Sequence, residues 1–186
     1  MKDFRWLTIS QSISILGAGL VFPFYILFIK EVGTNFTEFG IAYGIFTISS
    51  ALVHKLIGKW CDRFGNKIFL VISSFGTALL FLIFPIVTNL WQVYFIQILL
   101  GIFGAMQKTS EKTIVANFTN SHGRGEKIGV YHGWLAIFSG IAVIIGGYLA
   151  DLFTLEIIFY IGSIFLFISG LIILKLNENR KSYKIN

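Results

Sequence analysis

Charged residues are scarce in this sequence of 186 residues: Asp, Glu, Lys and Arg make up 13% of it, against about 25% in soluble globular domains. Hydrophobic residues make up 55% and aromatic residues 17%. A soluble domain of this size has no interior large enough for so much apolar surface, and the apolar residues come in long runs rather than in periodic patterns. The composition therefore excludes an ordinary soluble domain and predicts an all-α membrane protein embedded in the lipid bilayer.

Cysteine and the common catalytic motifs are equally scarce. Cys61 is the only cysteine, so an intramolecular disulfide is impossible. The sequence contains no G-x-S-x-G, no H-E-x-x-H and no phosphate-binding glycine loop, which are the local patterns of serine hydrolases, zinc proteases and nucleotide-binding proteins. We therefore expect no enzymatic activity, no metal site and no cofactor.

Six runs of the sequence are long and apolar enough to cross a bilayer, because a transmembrane helix needs about 20 mostly apolar residues. The connections between the runs are short, which leaves no room for a soluble domain between them. We predict a six-helix transmembrane domain over residues 1–176 and a basic cytoplasmic tail over residues 177–186. The six predicted spans are residues 7–29, 37–57, 68–87, 90–115, 128–150 and 155–174.

Basic residues are distributed very unevenly between the two ends of the predicted spans. An even number of spans places both termini on one side of the membrane. Fourteen of the fifteen Lys and Arg residues fall on that side, and only Lys30 falls on the other. Short basic loops stay in the cytoplasm, so we predict cytoplasmic termini and a location in the cell (inner) membrane. The net charge of +6 thus indicates orientation, and we expect no nucleic-acid partner.

The segment GKWCDRFGNK, residues 58–67, is rich in charge for so apolar a chain. It falls between the second and third predicted spans, where its two glycines allow a tight reversal. The segment resembles the signature loop of the major facilitator superfamily, G-x-x-x-D-R-x-G-x-[RK]. The alternative interpretation is a generic basic loop that obeys the positive-inside rule. The residues of this sequence that match the signature are Gly58, Asp62, Arg63, Gly65 and Lys67.

Other stretches are similar to the same family. FPFYILFIKEVG resembles the end of its first helix, with Pro23 in the usual place, and NFTNSHGRGEKIG resembles its loop between helices four and five. QILLGIFGA resembles the fourth-helix pattern R-x-x-x-G, but Gln97 replaces the arginine. The resemblance covers the whole chain, yet it extends over only the N-terminal half of a normal family member.

The resemblance implies half of a major facilitator fold, that is, six transmembrane helices as two inverted three-helix repeats. A motif G-x-x-x-D-x-F at residues 58–64, which occurs again at 147–153, fits two such repeats. The implied function is transport of a small solute of unknown identity by alternating access, as a half-size permease that needs a second half. That second half is a second copy in a homodimer or a separately encoded partner. The alternative is a non-transporting membrane subunit or a truncated transporter fragment.

Polar residues within the spans are candidates for the lining of a substrate cavity. Steps of three and four residues place Gln97, Lys108 and Glu111 on one face of the fourth span, and charges at this depth are costly on a lipid-facing surface. Two interpretations of Lys108 and Glu111 stay open: they line a wet cavity, or Glu111 forms a structural ion pair with Lys108 or Arg63. The resemblance implies that the first and fourth helices line the cavity. The candidates are Gln11, Ser14, Gln97, Lys108, Glu111 and Trp134.

Small residues form one stripe on the second span and another on the fifth. Such stripes let helix backbones approach closely. They serve either packing within the six-helix unit or, as the resemblance implies, contact with the other half of a transporter. The residues that we predict at this interface between halves are Gly44, Ala51, Gly133 and Gly140.

Labelling of single cysteines tests the predicted orientation. In a Cys61→Ala background, a membrane-impermeant maleimide added to intact cells should label a cysteine at Thr34 and not one at Asn120, because the basic residues hold position 120 in the cytoplasm. Labelling after lysis is the control for reactivity. Labelling of position 120, but not of position 34, in intact cells would overturn the orientation.

Overall fold

The computed structural model of the chain describes residues 2–32, 35–119 and 123–177, and every regular element within these ranges is a helix. Six helical segments are long and apolar enough to span a membrane, which confirms the prediction of an all-α protein with six spans. In chain order they are Asp3–Ile29, Phe36–Phe64, Asn66–Ile86, Leu90–Phe118, Arg124–Leu152 and Leu155–Ile173.

The first span consists of two helices, α1 (Lys2–Val21) and α2 (Tyr25–Val32). Pro23 lies in the turn between them and has no backbone N–H to donate, so it interrupts the helical hydrogen bonds. The N–H of Phe24 instead donates to the carbonyl oxygen of Val21 at 3.1 Å. The break in the first span therefore follows directly from the proline.

Three of the remaining helices have 29 residues each: α3 (Phe36–Phe64), α5 (Leu90–Phe118) and α6 (Arg124–Leu152). At about 1.5 Å per residue such a helix is ~43 Å long, which exceeds the ~30 Å hydrocarbon core. The third span is α4 (Asn66–Ile83) with a short 3-10 helix at Phe84–Ile86, and the sixth is α7 (Leu155–Ile173).

The segment that resembles the family signature is almost entirely helical, which corrects the prediction of a loop there. Gly58, Asp62 and Arg63 lie in α3, and Lys67 lies in the first turn of α4. Only Gly65 stands between the two helices, with a φ of 93°, a conformation that costs glycine nothing. Because Gly65 alone reverses the chain direction, α3 extends to the residue before it and α4 begins at the residue after it.

Some predicted features lie outside the described residues. These are the tail beyond Asn177, the labelling positions Thr34 and Asn120, and the side chain of Lys30. Asn177 itself is described, and its backbone N–H donates to Oδ1 of Asp3 at 3.2 Å.

The helices pack in a continuous order. The main contacts join α3 to α5, α5 to α4, α4 to α7, α7 to α1 and α1 to α6. Exchanging the first span with the fourth, the second with the fifth and the third with the sixth leaves this set of contacts unchanged. Two inverted three-helix repeats related by a pseudo-two-fold axis produce this pattern, so the predicted internal repeat is present in the packing.

Aromatic rings join the first, third and sixth spans at one end of the bundle. Phe84 and Phe159 stack with ring centroids 4.8 Å apart. Phe28 packs against both of these rings, with centroid distances of 5.1 and 5.2 Å. Such pairs stabilise a fold beyond the burial of their area, so this cluster holds the two repeats together.

Two glycines bring the first and sixth spans into backbone contact. A Cβ atom on Gly17 would lie 2.7 Å from the carbonyl oxygen of Gly162, and a Cβ atom on Gly162 would lie 2.8 Å from that of Gly17. A backbone carbonyl cannot move aside as a flexible side chain can. The close contact between α1 and α7 therefore requires glycine at both positions.

Replacing Gly17 with alanine adds one methyl group at this contact and so tests it. Gly17→Ala should lower the free energy of unfolding by about 1–3 kcal/mol, because the helices must separate to accommodate the new Cβ atom. Gly40→Ala is the matched control, since a Cβ atom there meets nothing within 4 Å, and it should leave stability unchanged or slightly higher. Thermal unfolding in detergent measures both variants, and equal melting temperatures would contradict the close packing.

Candidate functional site

The fourth span, α5, contacts the second and third spans along its length and is hydrogen-bonded to the first and fifth. It carries three of the six predicted cavity residues. Gln97 is buried near one end of this helix, where its Nε2 donates to the hydroxyl of Tyr25 in α2. The cavity beside this pair has a volume of about 20 Å³, which holds roughly one water molecule. Gln97 therefore joins two spans of the unit rather than lining an open cavity within it.

A second polar network joins three spans near the middle of the bundle. Oε1 of Gln11 in α1 accepts from Nε2 of Gln107 in α5 at 2.5 Å. Oε1 of Gln107 accepts from Oγ of Ser73 in α4 at 2.7 Å. Gln11 is 1% exposed, and its Nε2 has no hydrogen-bond partner among the described residues. The predicted residue Ser14, one turn further along α1, is also buried.

Polar side chains also line the contact between α3 and α5. Nδ1 of His54 lies 2.9 Å from Oγ1 of Thr109, and Nε2 of His54 lies 3.4 Å from Oγ of Ser50. Further along, Sγ of Cys61 lies 3.3 Å from Oγ of Ser110. The His54–Thr109 and Cys61–Ser110 contacts join the second span to the fourth, whereas the His54–Ser50 contact lies within α3.

Glu111 has a partner that the sequence did not indicate. Its Oε1 accepts from the hydroxyl of Tyr131 in α6 at 2.7 Å, and Tyr131 is 1% exposed. The ammonium groups of Lys108 and Lys112 lie close enough to act on the same carboxylate, and the imidazole of His132 is also beside it. The hydrogen bond thus comes from the fifth span, whereas the predicted ion-pair partners were Lys108 and Arg63. No spacing rule could find Tyr131, since only tertiary packing brings α6 to α5 here.

The predicted cavity residues therefore differ in how far the unit buries them. Gln11, Ser14 and Gln97 are buried between helices of the unit, while Lys108 and Trp134 lie on its outer surface and Glu111 is half-buried. The ring of Trp134 packs against Phe138, which lies one turn along the same helix, with a centroid distance of 6.2 Å. The residues that sequence reasoning missed are Tyr25, Ser73, Gln107 and Tyr131.

The residues of the signature segment lie at the ends of α3 and α4. Nζ of Lys67 donates to the carbonyl oxygen of Leu174 at 2.8 Å and so joins the third span to the end of the sixth. The guanidinium of Arg63 lies 5.3 Å from the ring centroid of Phe64, and Asp62 is exposed. Within the described ranges, His, Cys, Asp and Glu form no group of three or more that could hold a metal ion.

The stripes of small residues on α3 and α6 are open. A Cβ atom on Gly44, Gly133 or Gly140 would meet nothing within 4 Å, and Ala51 is exposed. The sequence left two interpretations of these four residues: packing within the six-helix unit, or contact with another half. The structure does not fit the first, because the three glycines have open space at the Cβ position and Ala51 is exposed. They form a surface that the unit itself leaves uncovered.

Comparison with known proteins gives consistent matches. The family model described as Major Facilitator Superfamily matches residues 7–186. A protein of Bacillus subtilis (strain 168) described as the uncharacterized MFS-type transporter YitZ is 51% identical over 158 residues, which cover 85% of this chain and 96% of the relative.

Two longer relatives match over part of their length. Multidrug resistance protein MdtG of Proteus mirabilis (strain HI4320) is 30% identical over 167 residues, which cover 86% of this chain and 41% of the relative. The uncharacterized MFS-type transporter MJ1560 of Methanocaldococcus jannaschii is 25% identical over 155 residues, which cover 83% of this chain and 40% of the relative. The matched region is thus about two fifths of each of these proteins.

A double-mutant cycle tests the bond between the fourth and fifth spans. Tyr131→Phe and Glu111→Leu should each destabilise the protein, and the double variant should lose less than the sum of the two, because both remove one hydrogen bond. The expected coupling free energy is about 1 kcal/mol, as for other buried hydrogen bonds in membrane proteins. Thermal or denaturant unfolding in detergent measures the cycle, and additive losses would show that the two side chains do not interact.

Proposed function

The chain belongs to the major facilitator superfamily, and from this premise we propose that it is one half of a transporter that moves a small solute by alternating access. In such proteins two six-helix halves are related by an axis along the membrane normal, and they rock about a site near the midplane. The chain is an integral membrane protein, and the proposed location is the cell membrane with both termini in the cytoplasm. The proposed second half is another copy of the chain or a separately encoded six-helix unit.

The open glycine stripes are the observation that carries this proposal. Some glycines of the chain serve close packing within the unit: a Cβ atom on Gly101 would lie 2.5 Å from the carbonyl oxygen of Phe46. The glycines of the stripes, by contrast, have open space where a side chain would be. Close-packing residues that contact nothing in the unit fit a surface covered by another set of helices.

Two copies of the chain satisfy the symmetry of a full transporter. They share one orientation in the membrane, so a parallel two-fold dimer needs no inverted copy. In such a dimer the same surface is used twice, and α3 of one copy lies against α6 of the other. A separately encoded half would occupy the same surface.

Polar residues on the concave side of the assembly are the proposed substrate contacts. Lys108 is exposed and Glu111 half-buried on α5, and in the proposed assembly the second half would enclose both. The charge and the half-buried carboxylate are costly in contact with lipid. A cavity shared with a second half removes that cost, because water or solute can then solvate them.

Leucine substitutions in the stripes test the proposed interface. In a Cys61→Ala background, cysteines at Thr47 and Ala136, both exposed, should cross-link between two copies in the membrane. Gly133→Leu or Gly44→Leu should weaken association about tenfold or more and reduce the cross-link accordingly, because the added side chains keep the backbones apart.

Leu79→Trp is the control for added bulk on an outer surface of α4, where Leu79 is 57% exposed, and it should leave the cross-link intact. Transport of fluorescent dyes by reconstituted protein that is strictly monomeric would contradict the proposal. A cross-link that is insensitive to leucine in both stripes would place the interface elsewhere.

A further inference from the structure

Three lysines lie on the outer surface of the second and fourth spans, in the half of the bundle that holds the predicted cytoplasmic ends. They are Lys55 in α3 and Lys108 and Lys112 in α5, and all three are exposed. Lys108 follows the midpoint of its helix by four residues, which is ~6 Å, and Lys55 follows the midpoint of α3 by five residues, which is ~8 Å. We call these three residues the lysine cluster.

The contact between α3 and α5 shows that Lys55 and Lys108 project to the same side. His54 and Thr109 meet across the contact, with 2.9 Å between Nδ1 and Oγ1. The second and fourth spans run in the same direction. Lys55 is one residue after His54 and Lys108 is one residue before Thr109, so each is rotated by about 100° from the contact in opposite senses. The two ammonium groups therefore lie on one side of the helix pair.

That side is also the uncovered surface of the unit. Ala51 lies one turn before Lys55 on α3 and is exposed, and Gly44 lies further along the same helical face with open space around it. In the proposed assembly the second half covers this surface. The lysine cluster then faces the space between the halves rather than lipid.

Negative charge near the cluster is insufficient to balance it. Glu111 is the single acidic residue in α5, and one of its oxygens is occupied by the hydroxyl of Tyr131. Lys108 and Lys112 thus share one carboxylate, with the exposed imidazole of His132 beside it. All three lysines count toward the basic side that the positive-inside rule assigns to the cytoplasm. That rule concerns loops and helix ends, however, and Lys108 lies only four residues past the midpoint of its 29-residue helix.

We propose that the lysine cluster is the anion-binding part of the substrate site, and that the transported solute carries a carboxylate, sulfonate or phosphate group. This inference rests on the proposed function, because the cluster is enclosed only when a second half covers it. The occupant is a solute rather than a lipid headgroup. With the midpoint of α5 placed at the bilayer centre, the boundary of the hydrocarbon core is ~15 Å away, which is ~9 Å beyond the backbone of Lys108 and ~3 Å beyond that of Lys112. The solute assignment therefore depends on Lys108, the deepest of the three.

Binding of two dyes of opposite charge tests the proposal on the assembled protein in nanodiscs of phosphatidylcholine. Fluorescence anisotropy should show that the dianion fluorescein binds more tightly than the cation ethidium. Lys108→Gln should weaken the binding of fluorescein about fivefold or more, because it removes one partly desolvated charge, and should not weaken the binding of ethidium. Lys108→Arg should retain fluorescein binding, and this variant shows that the site tolerates substitution.

Lys127→Gln is the matched control, since it removes an equal charge from an exposed position near the start of α6, and it should leave both affinities unchanged. Tighter binding of ethidium by the unmodified protein, or equal losses in Lys108→Gln and Lys127→Gln, would overturn the inference. Displacement of fluorescein by phosphatidylglycerol added to the nanodiscs would assign the cluster to lipid headgroups and also overturn it. Lys108-dependent binding of fluorescein without any transport would instead contradict the proposed function alone.

Discussion

The bilayer core contains no water to satisfy polar groups, and this constraint decides the arrangement of the whole bundle. Each helix satisfies its own backbone, but the side chains of Gln11, Gln97 and Glu111 need partners from other spans. Gln11 contacts Gln107, Gln97 contacts Tyr25, and Glu111 contacts Tyr131. Each of these contacts connects the fourth span to another span, so α5 occupies the centre of the polar framework.

Close packing supplies the rest of the framework, since apolar side chains gain little from leaving lipid for another apolar surface. Backbones meet at Gly17 and Gly162, and phenylalanine rings join the two repeats at one end. The same need for close packing and for polar partners applies to the residues that the unit leaves uncovered. The unit's own helices leave the glycines of α3 and α6 and the lysine cluster uncovered. A second six-helix unit packed against them would complete both the packing and the solvation.

Sequence reasoning succeeded where the signal is local and failed where it depends on neighbouring helices. The apolar runs identified all six spans, and Pro23 marks the observed break in the first. The prediction of a loop at the signature segment was wrong because Gly65 turns the chain within one residue. The grouping of Gln97 with Lys108 on one face was correct as helix geometry, yet the packing buries the first residue and leaves the second exposed.

The sequence by itself determined the class of the protein, the number of spans and the family, because hydropathy, charge asymmetry and the signature spacing are properties of consecutive residues. Only the tertiary structure decided which polar side chains are buried and hydrogen-bonded within the unit and which remain exposed on its surface. Tyr25 is 72 residues from Gln97, and Tyr131 is 20 residues from Glu111 on the next helix; nothing in the local pattern relates the members of either pair. Their contacts arise because the lipid interior offers no hydrogen-bond partners. Polar side chains on different helices must therefore satisfy one another.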